Sequence, residues 1–402
     1  MRKLKSLLGL SCLAGAMLAL PLAAKAAETV KVGLILSYSG QAAASVEEMD
    51  KAIRLYVKQH ESELGDIKLE LIRRDDTGPN PDMARRLAQE LITRDKVNLL
   101  TGFYFTPNIN AVAPLATEAK VPVVIMNAAT SSSIRLSPYL VRVSFTEWQQ
   151  GYPLGQWAAK QGMKNAYTAV TDYAPGHDVE ASFSKAFSDA GGKIVGQVRM
   201  PLKNPDYIPF LQRIKDEKPE ALLMFVPGSK DATAVMKAYS ELGLQQAGIH
   251  LVATQDCVPD DELPNMGDVA PGVVTIGNYS VSATRPANVA FVAAWKKEYG
   301  PDSVPNFFAV GAYDGMAAIF DVVKAQKGVI DPDKTMELLK HWKNDNSPRG
   351  PIMIDPETRD IVQNMYLRRL EKVNGKLANV EFETIPMVHD MWPKLNPETP
   401  AH

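Results

Sequence analysis

Residues 97–126 read VNLLTGFYFTPNINAVAPLATEAKVPVVIM. An apolar strand over 97–100 opens the segment and a second, over 121–126, closes it. Between them Thr106-Pro107 has the form of an N-cap followed by the proline of a first helical turn. Strand, helix, strand is the repeating unit of a parallel sheet, because the helix returns the chain to the edge where the next strand must start. The same rhythm runs outward on both sides. Upstream, 30–36 (VKVGLIL) reads as a buried strand, and Val46, Met49, Ile53, Tyr56 and Val57 share one helical face. A strand over 68–72 follows, then Asn80-Pro81 starts a helix with Met83, Leu87 and Leu91 inward. Beyond Trp148, strands over 166–171, 193–198, 221–226 and 249–253 alternate with helices over 178–190 and 206–217. Two such runs predict an α/β fold of two Rossmann-like lobes with parallel-rich sheets. The end differs. Helices over 286–299, 306–327 and 333–342 precede strands over 351–354, 364–371 and 379–385, the last two joined by the hairpin signal Asn374-Gly375. A β-rich ending after helices predicts that the chain rejoins a sheet already built.

The first 26 residues, MRKLKSLLGLSCLAGAMLALPLAAKA, carry a basic start, an apolar run and a small-residue exit. They predict an export signal cleaved after Ala26, and hence a periplasmic product. Of 402 residues, 46% are hydrophobic and 22% charged, an ordinary globular balance with length for two domains. Four of the 44 basic residues lie in those first 26 positions, which hold no acid. That leaves 40 basic against 46 acidic, a net −6 that gives no general attraction to nucleic acid or anionic lipid. Cys12 leaves with the signal and Cys257 remains alone, so the mature chain has no internal disulfide.

No GxGxxG after a strand, GxxxxGK[ST], HExxH or GxSxG occurs, and no metal or cofactor is expected. His177-Asp178 reads as a solvated loop pair rather than a catalytic dyad, Asp75-Asp76 as a turn that caps itself, and Asp260-Asp261-Glu262 as an exposed acidic turn. The interest lies in the strand ends, where open parallel sheets bind ligands. The loop 37–45 (SYSGQAAAS) is small and hydroxyl-rich; 102–107 (GFYFTP) sets three aromatics beside a helix start; 127–133 (NAATSSS) offers hydroxyls and N–H groups suited to a carboxylate. In the second half, Asp172-Tyr173-Ala174-Pro175-Gly176, Pro227-Gly228-Ser229 and Thr254-Gln255-Asp256 follow strands. Asp256 is either the counter-ion of a ligand ammonium group or a turn residue.

Read together, VGLILSYSG, ELIRRDDTGPNP, LLTGFYFTPNINAVAP, VPVVIMNAATSSS, VTDYAPGHD and NFFAVGAYDGMAAI resemble the branched-chain amino acid (Leu/Ile/Val) binding proteins of ABC transporters, which are type I periplasmic binding proteins. The resemblance covers nearly all of 28–387. It implies two lobes closing on a ligand, residues 27–146 with 279–348 and residues 147–278 with 349–402. Crossovers are implied near 145–147, 277–279 and 347–350. It also implies that Thr106 supplies a ligand-binding hydroxyl, that the backbone groups of Ala128, Ala129 and Thr130 and the Thr130 hydroxyl hold an α-carboxylate and ammonium, and that Asp256 pairs with the ammonium. The full expected ligand-binding set is Tyr38, Ser39, Ser45, Phe103, Phe105, Thr106, Ala128, Ala129, Thr130, Tyr173, Pro175, Phe225, Gln255, Asp256 and Tyr279. Departures from the amino acid binders are Ser45, Pro175 and the run Phe103-Tyr104-Phe105, which look more like relatives that bind aromatic carboxylates. Asp256 argues the other way, unless it points off the site or accepts a phenol hydroxyl. The implied partners are a small carboxylate ligand and the permease and ATPase subunits of an importer, the chain itself being a monomer. A sensor input on the same fold, or an exported hydrolase, are the alternatives.

Overall fold

A strand that is apolar on both faces must be covered on both faces. The structure, a computed structural model, describes residues 28–397 except 268 and 270; the expected signal segment and Cys12 lie outside the described residues. The chain begins with β1 (Thr29–Leu36), α1 (Ala43–His60), β2 (Lys68–Asp75), α2 (Pro81–Glu90), β3 (Leu99–Gly102), α3 (Thr106–Ala119), β4 (Val123–Ile125) and β5 (Leu140–Arg142). These strands form one parallel sheet in the order β2-β1-β3-β4-β5. Next come α4 (Glu147–Lys160), β6 (Asn165–Thr171), α5 (Ala174–Asp189), β7 (Lys193–Met200), α6 (Ile208–Glu217), β8 (Ala221–Phe225), α7 (Ser229–Glu241), β9 (His250–Thr254) and β10 (Val274–Gly277). The last part holds α8 (Pro286–Tyr299), α9 (Phe307–Ala325), α10 (Pro332–Lys340), β11 (Lys343–Asn344), β12 (Ile352–Ile354), β13 (Ile361–Val373), β14 (Lys376–Val388) and α11 (Trp392–Leu395).

The second sheet runs β7-β6-β8-β9-β10 in parallel, then continues antiparallel through β13, β12 and β11, with β14 also on β13. The chain does return to a sheet already built, and Asn374 (φ 51°) and Gly375 (φ 78°) make the turn between β13 and β14. Burial follows the two-faced rule. On β8, Leu222 and Met224 enter one apolar cluster while Ala221, Leu223 and Phe225 enter the other. Helix α9 is buried with the first sheet, in one cluster with Val32, Leu34, Leu100 and Val124. The boundary expected at 348 puts Lys343–Asn344 with the first lobe, whereas β11 pairs in the second sheet through Lys343↔Met353.

Two local expectations change. Asn80 does cap α2, its Oδ1 accepting from Met83 N at 3.2 Å. Thr106, however, is not the cap of α3. Phe105 occupies that place in extended backbone, the helix starts at Thr106, and no side chain caps it. The Thr106 hydroxyl is therefore left for something else.

Candidate functional site

The site is assembled where the C-terminal ends of both sheets face each other. In the first lobe, the loop after β3 turns sharply at Gly102 (φ +101°), where a Cβ would lie 2.4 Å from Ile35 O. Phe103 follows in left-handed backbone (φ 62°), a conformation that costs a bulky residue about 1–3 kcal/mol and persists where the surroundings fix it. The fixing bonds are Phe103 N to Ile35 O (2.8 Å) and Ala128 N to Phe103 O (3.0 Å). A third stitch, Asn127 Nδ2 to Tyr104 O at 2.9 Å, ties the aromatic loop to the 127–133 loop. Thr106 and Thr130 are 1% and 3% exposed, yet neither Oγ1 has a hydrogen-bond partner among the described residues. The N–H groups of Ala129 and Thr130, and that of Thr106 at the start of α3, likewise have no acceptor there. Buried donors left unpaired cost about 1–3 kcal/mol each, and a concentration of them beside a helix start has the chemistry to take an anion.

Aromatic rings adjoin it. Tyr104 meets Phe105 edge-on (4.9 Å, 68°) and Phe308 of α9 at 5.1 Å. From the second lobe, Tyr173 stacks on Phe225 (6.0 Å, 25°), and Pro175 is buried in the first turn of α5. Phe103 has no exposed surface and lies within the first-lobe core. Ser45 is buried with its hydroxyl beside the Tyr104 phenol.

The lobes touch across this region. Tyr104 Oη donates to Pro227 O at 2.6 Å, Ser131 N to Asp178 Oδ2 at 2.9 Å, and Gln41 Nε2 to Leu202 O at 3.2 Å. Gly228 (φ +77°) permits the approach: a Cβ there would fall 2.7 Å from the Phe308 ring. At the lip, a groove of about 530 Å³ is bordered by Gly40, Gln41, Thr77 and Asn80 on one side and Lys203 and Lys230 on the other.

Acidic side chains stand on the second-lobe side. Asp256 is 4% exposed and accepts from Gln150 Nε2 at 3.1 Å; burial pushes its carboxyl up to about 6. Glu147, at the start of α4, is 1% exposed and accepts from the same Gln150 nitrogen at 2.8 Å. Its N–H donates to Ala129 O. Burial, then the charges of Asp256 and Asp178, holds its carboxyl well above the usual range. Asp178 is not a solvated loop residue: it lies in α5, and burial pushes it up to about 7, offset by the Ser131 N–H. His177 turns instead to Asp172, at 2.8 Å.

Other expectations land elsewhere. Tyr38 Oη donates to Asp50 Oδ1 (3.1 Å), and Ser39 is exposed with its N–H on Asp75. Gln255 is held by two bonds, its N–H to Gln150 Oε1 (3.1 Å) and its Oε1 from Asn278 N (3.0 Å), while its Nε2 is buried without a partner among the described residues. Tyr279 is wholly buried near Asp260, Arg285 and Glu381, its hydroxyl without a partner among the described residues. Asp75 makes the expected self-capping turn with Thr77 N, but Asp76 is buried on Ser37 and Asn108. Asp260 is likewise buried, accepting from Asn379 and Val281 N, rather than exposed. Among the described residues, no group of three or more His, Cys, Asp or Glu could hold a metal ion. Sequence reasoning missed Tyr104, Glu147 and Gln150. Tyr104 lay inside the quoted loop; Glu147 was noticed only as part of a crossover.

Beneath the cleft the crossovers are knotted. Arg349 donates to Asp314 Oδ2 (2.8 Å), Ser144 O (2.6 Å), Gln363 Oε1 (2.8 Å) and Val143 O. Gln363 Nε2 reaches Ser144 O (3.0 Å) and Gln149 Oε1 (3.1 Å), and Asn278 Nδ2 reaches Gln363 Oε1 (3.1 Å).

The family model described as periplasmic binding protein matches residues 29–376. The chain is 41% identical over 372 residues to the Leu/Ile/Val-binding protein homolog 6 of Brucella suis biovar 1, covering 92% of this chain and 95% of that one. It is 47% identical (TM-score 0.87, 90% and 99% covered) to a solute-binding protein of an ABC transporter from Rhodopseudomonas palustris BisB5, solved with 3,4-dihydroxybenzoic acid. It is 42% identical (TM-score 0.86, 90% and 98% covered) to one from R. palustris HaA2, solved with p-hydroxybenzoic acid. The chain belongs to the periplasmic binding protein family, as a solute-binding protein of the ABC-transporter type.

Proposed function

We propose that this chain captures a small aromatic carboxylate bearing a ring hydroxyl between its two lobes and delivers it to the permease of an ABC importer. The observation that carries the reading is the pairing of unpartnered buried donors (Thr106 Oγ1, Thr130 Oγ1 and the free N–H groups beside them) with a wall of Tyr104, Phe105, Phe308 and Tyr173. The first set replaces water around a carboxylate, whose burial otherwise costs several kcal/mol. The second accepts a flat ring at little entropic cost. The ligands of the two R. palustris proteins support it. The chain acts as a monomer in the periplasm after losing residues 1–26, and its lobes close by hinge motion over the crossovers. It binds without turnover, in keeping with a family of binding proteins rather than enzymes.

A second reading is an α-amino acid, favoured by Asp256 and Glu147 as acceptors for an ammonium group. Thermal-shift titration separates the two, since a ligand bound only by the folded state raises Tm by mass action. The expected result is a shift with 4-hydroxybenzoate or 3,4-dihydroxybenzoate and none with leucine or phenylalanine. The reverse pattern assigns the site to amino acids. Shifts with none of these remove the ring reading.

A further inference from the structure

A single peptide bond of the Thr130 loop is gripped from both lobes at once. Thr130 O accepts from Arg142 Nη2 at 2.6 Å, and the N–H of the same peptide, that of Ser131, donates to Asp178 Oδ2 at 2.9 Å. Arg142 ends β5 in the first sheet, whereas Asp178 lies in α5, whose Val179 and Phe183 pack on the second sheet. Arg142 is wholly buried, stands 2.9 Å from Asp360, and its own N–H donates to Arg359 O at 3.1 Å, so this side of the grip is made without α5. The preceding peptide is held too, its oxygen (Ala129 O) accepting from Glu147 N at 3.1 Å. Peptides are planar, so holding both fixes the backbone on either side of Thr130. The Thr130 N–H and Oγ1 are then the groups left without a partner, set in direction by everything around them. Because donor and acceptor sit on different lobes, the Ser131–Asp178 bond is lost when the lobes part.

We propose that Asp178 is a positioning residue for ligand retention: on closure it takes the Ser131 N–H, fixes the Thr130–Ser131 peptide against Arg142, and so holds the free Thr130 groups on the ligand carboxylate. The inference rests on the reading of the cleft as a carboxylate site that closes by hinge motion. Oδ2 accepts the N–H whether or not the carboxyl carries a proton, and above about pH 7 the bond gains the assistance of a full charge. A ligand enters the open form and leaves by reopening. A bond made only in the closed form therefore acts on dissociation and not on association. Asp178 works through the loop rather than on the ring, so its effect is the same for acids that differ in ring substitution.

The test is stopped-flow binding of 4-hydroxybenzoate and 3,4-dihydroxybenzoate to the purified protein and to Asp178→Ala, beside hydrogen exchange of the Ser131 amide with and without ligand. In the wild type either acid should slow Ser131 exchange at least about ten-fold. In Asp178→Ala both acids should dissociate at least about ten-fold faster, the size of one hydrogen bond to a charged group, with association within about three-fold and no ligand protection of Ser131. Asp178→Asn keeps an acceptor oxygen without the charge and should fall between the two. It also carries the test if Asp178→Ala is unfolded by circular dichroism. Wild-type dissociation rates in the folded variant overturn the role of Asp178 and leave the carboxylate reading standing. Faster dissociation of only one of the two acids overturns it as well, since that is the mark of a direct contact with the ring. No binding of either acid by the wild type overturns the aromatic reading and this proposal together.

Discussion

Two buried polar regions lie close together in this molecule and are built on opposite terms. In the crossover knot, Arg349 spends its guanidinium on Asp314, Ser144, Gln363 and Val143, and Gln363 spends its amide on Ser144 and Gln149. In the cleft, Thr106 and Thr130 are as deeply buried, yet their hydroxyls have no partner among the described residues. Burial without hydrogen bonds is unfavourable. The knot therefore holds the fold together, while the cleft stores interaction capacity that a ligand can use. Substitutions should divide accordingly, the knot changing stability and the cleft changing affinity.

The largest effect is expected at Arg349→Met. It leaves the Asp314 carboxylate buried without its cation and should cost about 3–5 kcal/mol, read as a lower urea midpoint. A loss below about 1 kcal/mol would place the knot among ordinary surface contacts. Asp256→Asn should act in the reverse direction on the apo protein. The folded carboxyl titrates at about 6, above the ordinary 3.8, so the folded state binds the extra proton between those values, and stability falls as pH rises through that window. The Asn variant is spared that fall. Its advantage should be absent below about pH 4 and reach up to about 3 kcal/mol above pH 7; melting curves across pH 4–8 with no widening gap would contradict the assignment. Thr130→Val should weaken carboxylate binding by at least about 1 kcal/mol while apo stability stays within about 0.5 kcal/mol. Equal changes in both would erase the distinction between knot and cleft. The smallest effect is expected at the lip. Lys203→Gln with Lys230→Gln should lower the association rate of an anionic ligand a few-fold at low salt and leave dissociation unchanged. Stopped-flow traces with the same on-rate would show the two lysines to be bystanders.

How far the sequence could be read follows the range of the interactions. The β–α alternation is legible because a doubly covered strand has to be an apolar run, and 30–36 and 221–226 announce β1 and β8. The three-residue β5 and the four-residue β10 were missed, since neither is long enough to show a pattern. Thr130 and Ala128 were legible as members of a loop at a strand end. Glu147 was not, because its meaning comes from Gln150 meeting Asp256 across 106 residues. The same holds for Arg349, whose partner Ser144 lies 205 residues away. Charges misled in a consistent direction: Asp178, Asp260 and Asp76 were read as solvated because carboxylates usually are. Asp260 and Asp76 are instead buried, and Asp178 half-buried, against N–H or hydroxyl donors brought by another element. Tyr38 shows the converse, a loop residue at the right strand end whose hydroxyl turns back to Asp50.

The claim that the cleft is built for an aromatic acid meets its most direct test in calorimetry of the purified protein with 4-hydroxybenzoate against leucine. Saturable one-to-one binding of the aromatic acid, with no heat from leucine at the same concentrations, is the expected result. Saturable leucine binding with no heat from 4-hydroxybenzoate would contradict it and give Glu147 and Asp256 to an ammonium group.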